Sequence, residues 1–303
     1  MLNLNFVIIG AQKSGSTALF AYLAQHPDLF MCPTKELGYF AYQSGKPNFR
    51  GPDDNIYTQD VVADWAEYCG AFHAAKPGQL IGEASVIYQY NINAVENLHS
   101  RFPAAKLIAV LRNPVYRAYS AYKHLLRDER ESETFEDAIA LEDTRIKNNF
   151  EPLWHYRRVG LYGEQLRRVF QFYPKEQVKV IFSEDLNTNT LETVRSCFRF
   201  LGVDSSFEPD VSFRPNRSGA HKSKAIGKFI NKPNWLKNNL KKVIPLKLRW
   251  KMKAMLQSDY ENRADSLPEA LKNALHDYYR EDVHLLEKLL ERDLSHWLER
   301  PLQ

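Results

Sequence analysis

The eight residues Gly10-Ala11-Gln12-Lys13-Ser14-Gly15-Ser16-Thr17 constrain this chain more than any other segment. A short β-branched and aromatic run, Asn5 to Ile9, precedes them. Leu19, Phe20, Tyr22 and Leu23 follow at helical spacing, and His26-Pro27 stops the helix, because the residue before a proline leaves the α region. Strand, glycine-bounded loop and helix in this order open a βαβ unit. Such a loop turns backbone N–H groups toward an anion, and the helix N-terminus adds positive potential. Gly10 and Gly15 let the backbone approach closely, and the hydroxyls of Ser14, Ser16 and Thr17 can donate. The pattern departs from GxxxxGK[ST], in which lysine follows the second glycine. Here Ser16 follows Gly15, and the lysine sits inside the loop at position 13. The grip on a magnesium nucleoside triphosphate is therefore incomplete. A charged Lys13 would stand beside the bound phosphate and whatever leaves from it.

The rest of the chain repeats the alternation. Lys106 to Leu111 is an apolar run suited to a parallel strand buried on both faces, and Asn113-Pro114 opens a helix with proline in its first turn. A third strand, Val178 to Phe182, follows a helical stretch from Leu161 to Tyr173, and Leu80-Ile81 suggests a short fourth. Alternating strands and helices predict an α/β fold, P-loop-like and three-layered, with a mostly parallel central sheet flanked by helices. Beyond Leu201 the strand signals stop: 204–224 reads as loop, and the chain from Ala225 onward reads as helical, divided by Pro233, Pro245 and Pro268. The expected organisation is an α/β core over 1–224 and a helical C-terminal part of the same domain over 225–303.

Composition narrows the function. At 44% hydrophobic and 26% charged residues the chain is globular, which excludes collagen-like and disordered readings. A formal net charge of +4 suits an anionic ligand and falls short of a dedicated nucleic-acid binder. Cys32, Cys69 and Cys197 form no CxxC pair, so neither a zinc ribbon nor a disulfide-stapled fold is expected. No apolar run approaches the ~20 residues of a membrane helix, the first residues show no secretory signal, and a cytoplasmic location is expected. The basic stretch 237–253, with lysines and arginines interleaved among apolar residues, reads first as a solvated helix surface and second as a peripheral patch for a membrane or a polyanion.

A second anion site lies at the end of the second strand. Arg112 follows Leu111 directly, at the carboxyl edge where open α/β sheets bind ligands, and its guanidinium can grip a phosphate with two parallel hydrogen bonds. Ser120 lies two helical turns beyond it.

Together these segments resemble the sulfotransferases that use 3′-phosphoadenosine 5′-phosphosulfate (PAPS), in the style of bacterial members and of the domains that act on heparan-type sugars. Residues 10–17 resemble the family's 5′-phosphosulfate loop, and Arg112 with Ser120 resembles its 3′-phosphate signature. The resemblance implies donor binding by Lys13, Ser14, Gly15, Ser16, Thr17, Arg112 and Ser120. It also implies an adenine-side contact by Tyr162, within Gly160-Leu-Tyr-Gly-Glu-Gln-Leu166, and a late basic loop, 216–224, in which Arg217 or Lys222 closes over the 3′-phosphate. Glu36, in Pro33-Thr-Lys-Glu-Leu-Gly-Tyr-Phe40, matches the family's general base, with Lys35 accompanying the donor or acceptor charge; His124 and Glu83 are the next candidates. Two departures, Gly38 where some carbohydrate-acting relatives carry histidine and Ala84 where many carry lysine, bear on the acceptor and leave the donor site untouched.

The implied reaction transfers a sulfuryl group from PAPS to an acceptor hydroxyl in preference to an amine, leaving adenosine 3′,5′-bisphosphate. Lys13 stabilises the leaving phosphate, Glu36 removes the acceptor proton, and no metal is required. The acceptor would be a small molecule, saccharide or lipid, with no nucleic acid, and the oligomeric state stays open. Two alternatives remain: a small-molecule kinase using ATP and Mg²⁺, and a non-catalytic module binding polyanions through 237–253.

Overall fold

The apolar runs of residues 6–9 and 107–111 become neighbouring strands at the heart of a parallel sheet. In the computed structural model, which describes residues 2–212 and 267–299, β1 (Phe6–Gly10) lies between β3 (Leu80–Ala84) and β4 (Lys106–Leu111). β2 (Leu29–Met31) and β5 (Val178–Phe182) form the two edges, giving the order β2-β3-β1-β4-β5 with every pairing parallel. The expected strands therefore appear, with Leu80-Ile81 extended to Ala84. The added strand, β2, has three residues and is too short to carry a periodic signal. Arg217, Lys222, the 216–224 loop, the 237–253 stretch and the helical expectation over 225–266 lie outside the described residues.

Side chains on successive strand residues alternate between the two faces. Phe6, Ile8, Ile108 and Val110 enter one apolar cluster, and Val7, Ile9, Leu107, Ala109 and Leu111 enter the other. The helices are α1 (Ser16–Leu23), α2 (Tyr39–Tyr42), α3 (Asn55–Thr58), α4 (Trp65–Gly70), α5 (Ile87–Tyr90), α6 (Ala94–Arg101), α7 (Pro114–Arg127), α8 (Phe135–Ala140), α9 (Glu142–Lys147), α10 (Tyr162–Phe172), α11 (Ser183–Thr188), α12 (Thr190–Leu201) and α13 (Glu269–Leu290). α1 and α12 cover the first face through Leu19, Phe20, Cys197 and Phe198. α5, α6, α7, α10 and α13 supply the second cluster. This is the three-layer α/β arrangement, with a helical part at the C-terminal end of the chain.

α13 is tied into that second layer. Leu275, Tyr279, Val283 and Leu286 are buried in its cluster. α10 begins without a cap from its own flanking residue. Instead Asp282 of α13 accepts hydrogen bonds from Gly163 N at 2.8 Å and Glu164 N at 2.9 Å, so a carboxylate from another helix satisfies two orphan donors at a positive helix end. Glycine at 163 makes this approach possible: a Cβ there would come within 2.5 Å of the Asp282 carbonyl oxygen, a backbone atom that cannot swing aside. Gly163→Ala is expected to cost roughly 1–3 kcal/mol, the scale of overpacking. In thermal unfolding of a chain this size that corresponds to a fall in Tm of about 2–12 °C; an unchanged Tm would contradict the close α10–α13 packing.

Candidate functional site

The 10–17 loop and the segment that begins at Arg112 leave the sheet at the carboxyl ends of adjacent strands. Gly10 pairs with Ala109 across the β1–β4 ladder, and Ala11 N donates to Val110 O at 2.8 Å. The 10–17 loop therefore starts beside Leu111, the residue before Arg112. Strands in one sheet lie about 4.8 Å apart, so the two loops share one cleft mouth.

The first loop wraps the start of α1. Gly15, the N-cap, has φ +107°, a left-handed conformation that glycine adopts without penalty. No side chain caps the helix and no acidic residue occupies its first turn, so its positive end stays uncompensated by its own sequence. The Ser14 hydroxyl is buried and faces the equally buried phenol of Tyr162. Burial raises the Tyr162 pKa; nearby Arg117, the Ser14 hydroxyl and Arg112 oppose that rise. Tyr162 thus stands as a core spacer between the two loops, at the first residue of α10 and packed edge-on against Trp297 at 6.3 Å.

Lys13 also adopts a left-handed backbone, φ +67°. Its ammonium lies 3.1 Å from His124 Nδ1, on the last turn of α7. Arg127 Nη2 is 2.8 Å from the same nitrogen, and Asp128 Oδ2 lies 3.5 Å from Nε2. Lysine and arginine can only donate, so Nδ1 accepts and the proton sits on Nε2, toward Asp128. Sequence reasoning ranked His124 as a substitute base and missed its contact with Lys13, which bridges 111 residues. The available signal was its position four residues after Ser120, one helical turn along the same face.

Arg112 is mostly buried, and desolvation lowers its pKa, offset by Tyr162 and Glu184. Asn113 caps α7 by accepting from Val115 N at 3.0 Å, and its amide donates to Trp297 O at 3.1 Å. Ser120 is half-buried on α7. Lys123 follows one turn later, its pKa lowered by burial and by Arg112, with its ammonium 4.8 Å from the centre of the Tyr119 ring.

Glu36 approaches from the other side, on the turn before α2. It too is left-handed, φ +65°, a conformation costing an L-residue about 1–2 kcal/mol. Three bonds fix it: Glu36 N donates to Ala84 O at 2.8 Å, Val86 N donates to Oε2 at 2.9 Å, and Lys35 Nζ lies 3.3 Å from Oε1. Lys35 Nζ also donates to Thr17 Oγ1 at 3.0 Å and Ser16 Oγ at 3.3 Å. Glu36 is therefore one side chain away from the 10–17 loop. Beneath it, Glu83 is fully buried at the end of β3, and desolvation pushes its pKa up to about 7 against stabilisation from Tyr88, Tyr68 and Ser85. Ser85 Oγ accepts from Gly38 N at 3.0 Å and donates to Glu83 at 3.4 Å, so Glu83 anchors the turn that carries Glu36.

Comparisons with known proteins show the family of this chain. The family model described as Sulfotransferase family matches residues 5–209. A crystal structure of a sulfotransferase from Alicyclobacillus acidocaldarius superposes with a TM-score of 0.79 at 33% identity, covering 99% of this chain and 100% of that one. Among curated proteins, the membrane-associated sulfotransferase kil1 of Dictyostelium discoideum is 34% identical over 118 residues, 39% of this chain and 22% of that protein. Heparan sulfate glucosamine 3-O-sulfotransferase 6 of Mus musculus is 28% identical over 197 residues, 65% of this chain and 52% of that protein. The matches thus span 22% and 52% of the lengths of these two curated relatives. Among the described residues no helix is long and apolar enough to cross a membrane, and no group of three or more His, Cys, Asp or Glu could hold a metal ion.

Glu83 yields a pH prediction. A carboxyl whose folded pKa lies above its unfolded value of 4.5 adds stability below that value and loses it as pH rises through about 7. Glu83→Gln keeps the shape and cannot ionise. Its Tm relative to wild type is therefore expected to rise between pH 5 and pH 8, by about 2–4 °C for each kcal/mol. A Tm difference that stays flat over that range would refute a buried, neutral-preferring Glu83.

Proposed function

This chain belongs to the sulfotransferase family, and from that premise we propose that it transfers a sulfuryl group from PAPS to an acceptor hydroxyl. The observation that carries the donor assignment is the emergence of the Lys13 loop and Arg112 from adjacent strand ends, β1 and β4. A donor with phosphate at both its 5′ and 3′ positions needs two cationic sites separated by a nucleoside. A kinase substrate needs one triphosphate grip and a metal.

In this reading Ser14, Gly15, Ser16 and Thr17 hold the 5′-phosphosulfate with backbone and hydroxyl donors at the start of α1. Arg112 and Ser120 hold the 3′-phosphate, and Tyr162 keeps the two loops at a fixed spacing. Arg217 and Lys222 remain proposed closing cations over the 3′-phosphate. Lys13 supplies positive charge where the leaving phosphate gains negative charge, which favours the transition state over the ground state. His124 and Asp128 aim that ammonium: with Nδ1 occupied by Lys13 and Arg127, His124 is an orienting acceptor rather than a free base. Glu36, with Oε2 fixed by Val86 N, accepts the acceptor hydroxyl's proton as the new oxygen–sulfur bond forms and the bond to the bridging oxygen breaks. No metal enters this scheme.

The names of curated relatives include a heparan sulfate 3-O-sulfotransferase and a bifunctional heparan sulfate N-deacetylase/N-sulfotransferase. A saccharide hydroxyl is accordingly the proposed acceptor class. An α/β core over 1–224 and a helical part of the same domain over 225–303 belong to the same proposal, as does a cytoplasmic location.

The experiment is direct. Adenosine 3′,5′-bisphosphate without Mg²⁺ is expected to raise the Tm, and ATP with Mg²⁺ to raise it less; the reverse order would favour the kinase alternative. With labelled PAPS and a saccharide, lipid and phenol panel, Glu36→Gln should lower sulfuryl transfer by ~10²-fold or more, the scale of general-base loss, with bisphosphate affinity nearly unchanged. Arg112→Ala should weaken bisphosphate binding by roughly 1.5–3 kcal/mol, the worth of a charged hydrogen bond. Near-normal turnover by Glu36→Gln would end its assignment as base.

A further inference from the structure

A carboxylate base beside a polyanionic co-substrate poses an electrostatic conflict, because like charges in one cleft repel and each raises the cost of the other. The titratable groups that act on Glu36 or feel it from the surrounding elements include Glu83 on β3, Tyr42 on α2 and Tyr57 on α3. All three are acidic, so none offsets its charge. The amide of Val86 binds Oε2 but carries no net charge. Lys35 is different: one ammonium touches Glu36 Oε1 at 3.3 Å, Thr17 Oγ1 at 3.0 Å and Ser16 Oγ at 3.3 Å. Its side chain is only 22% exposed and that of Glu36 24%, so solvent screens the pair incompletely.

We propose that Lys35 is a positioning residue that screens Glu36 from the donor's phosphosulfate, letting a carboxylate base and a polyanion occupy the same cleft. This inference rests on the donor and base assignments above. Lys35 acts on both sides at once. Toward Glu36 it is a counter-ion. Toward the loop it donates to two hydroxyl oxygens, and a hydroxyl that accepts from an ammonium keeps its own proton free to donate to an oxyanion. Ser16 and Thr17 begin α1, so the hydroxyl protons and the helix end favour the same anion. Lys35 itself need not touch the donor.

A double-mutant cycle read by calorimetric binding of adenosine 3′,5′-bisphosphate at low ionic strength tests this without any acceptor. Thermal unfolding of each unliganded variant reports whether it is folded. Lys35→Met leaves Glu36 unscreened and should weaken binding by ~10-fold or more, a penalty that shrinks as salt is added. Glu36→Gln alone should change binding by less than ~3-fold, since its charge is already offset. The Lys35→Met/Glu36→Gln double variant should recover to within ~3-fold of wild type, because the charge needing screening is gone. Lys35→Arg should retain most of the affinity. A double variant as weak as Lys35→Met would overturn the proposal and make Lys35 a direct donor ligand, and wild-type affinity in Lys35→Met would overturn it as well. If wild-type protein fails to bind the bisphosphate, the donor assignment itself falls, a result separate from any failure of the cycle.

Discussion

The pairing of β1 with β4 is the constraint on which the rest of the site depends. Ala11 N reaches Val110 O, and the ladder ends with Gly10 opposite Ala109. Each strand then releases its loop at the same edge of the sheet. Because β1 is central and its sequence neighbours go to one side while β4 goes to the other, the edge between them is a topological switch point, where open parallel sheets leave a crevice. Anchoring a lysine loop and an arginine on these two strands fixes their separation through backbone hydrogen bonds rather than through flexible side chains.

Around that crevice the protein holds its candidate site residues with neighbours from distant parts of the chain. Lys13 meets His124 of α7, Glu36 is bound by the amide after Ser85, and Tyr162 is set by a helix whose first turn is capped by Asp282 of α13. Lys13 and Glu36 both adopt left-handed backbone conformations that L-residues seldom take. Surrounding contacts must compensate that strain, and the buried Glu83–Ser85–Gly38 network is one visible compensation. A buried carboxyl is costly unless hydrogen-bonded; Ser85, Tyr68 and Tyr88 converge on this one.

Much of the fold was legible because buried parallel strands are written as continuous apolar runs. Lys106 to Leu111 and Val178 to Phe182 match their strands residue for residue, and Asn113-Pro114 announced α7 with both its cap and its first-turn proline. β2 was not legible, since three residues at a sheet edge carry no period. At the site, the loop of residues 10–17 and Arg112 stood out through residue types that serve anions and little else. The pairing of Lys13 with His124 did not, because sequence carries no sign of which side chains meet across 111 residues. Nor did the meeting of Tyr162 with Ser14, two buried side chains that lie 148 positions apart in the chain.

The sequence by itself determined the α/β class, the glycine-bounded strand–loop–helix, the displaced lysine that sets it apart from a triphosphate-loop pattern, and the arginine at a second strand end. These follow from local rules of hydrophobic period, proline and glycine punctuation and the chemistry of donors. Tertiary structure alone decided that Lys35 would link Glu36 to Ser16 and Thr17, that Glu83 would be buried under them, and that α13 would cap α10. Those relations depend on strand order and helix packing, which bring together residues that no local pattern connects.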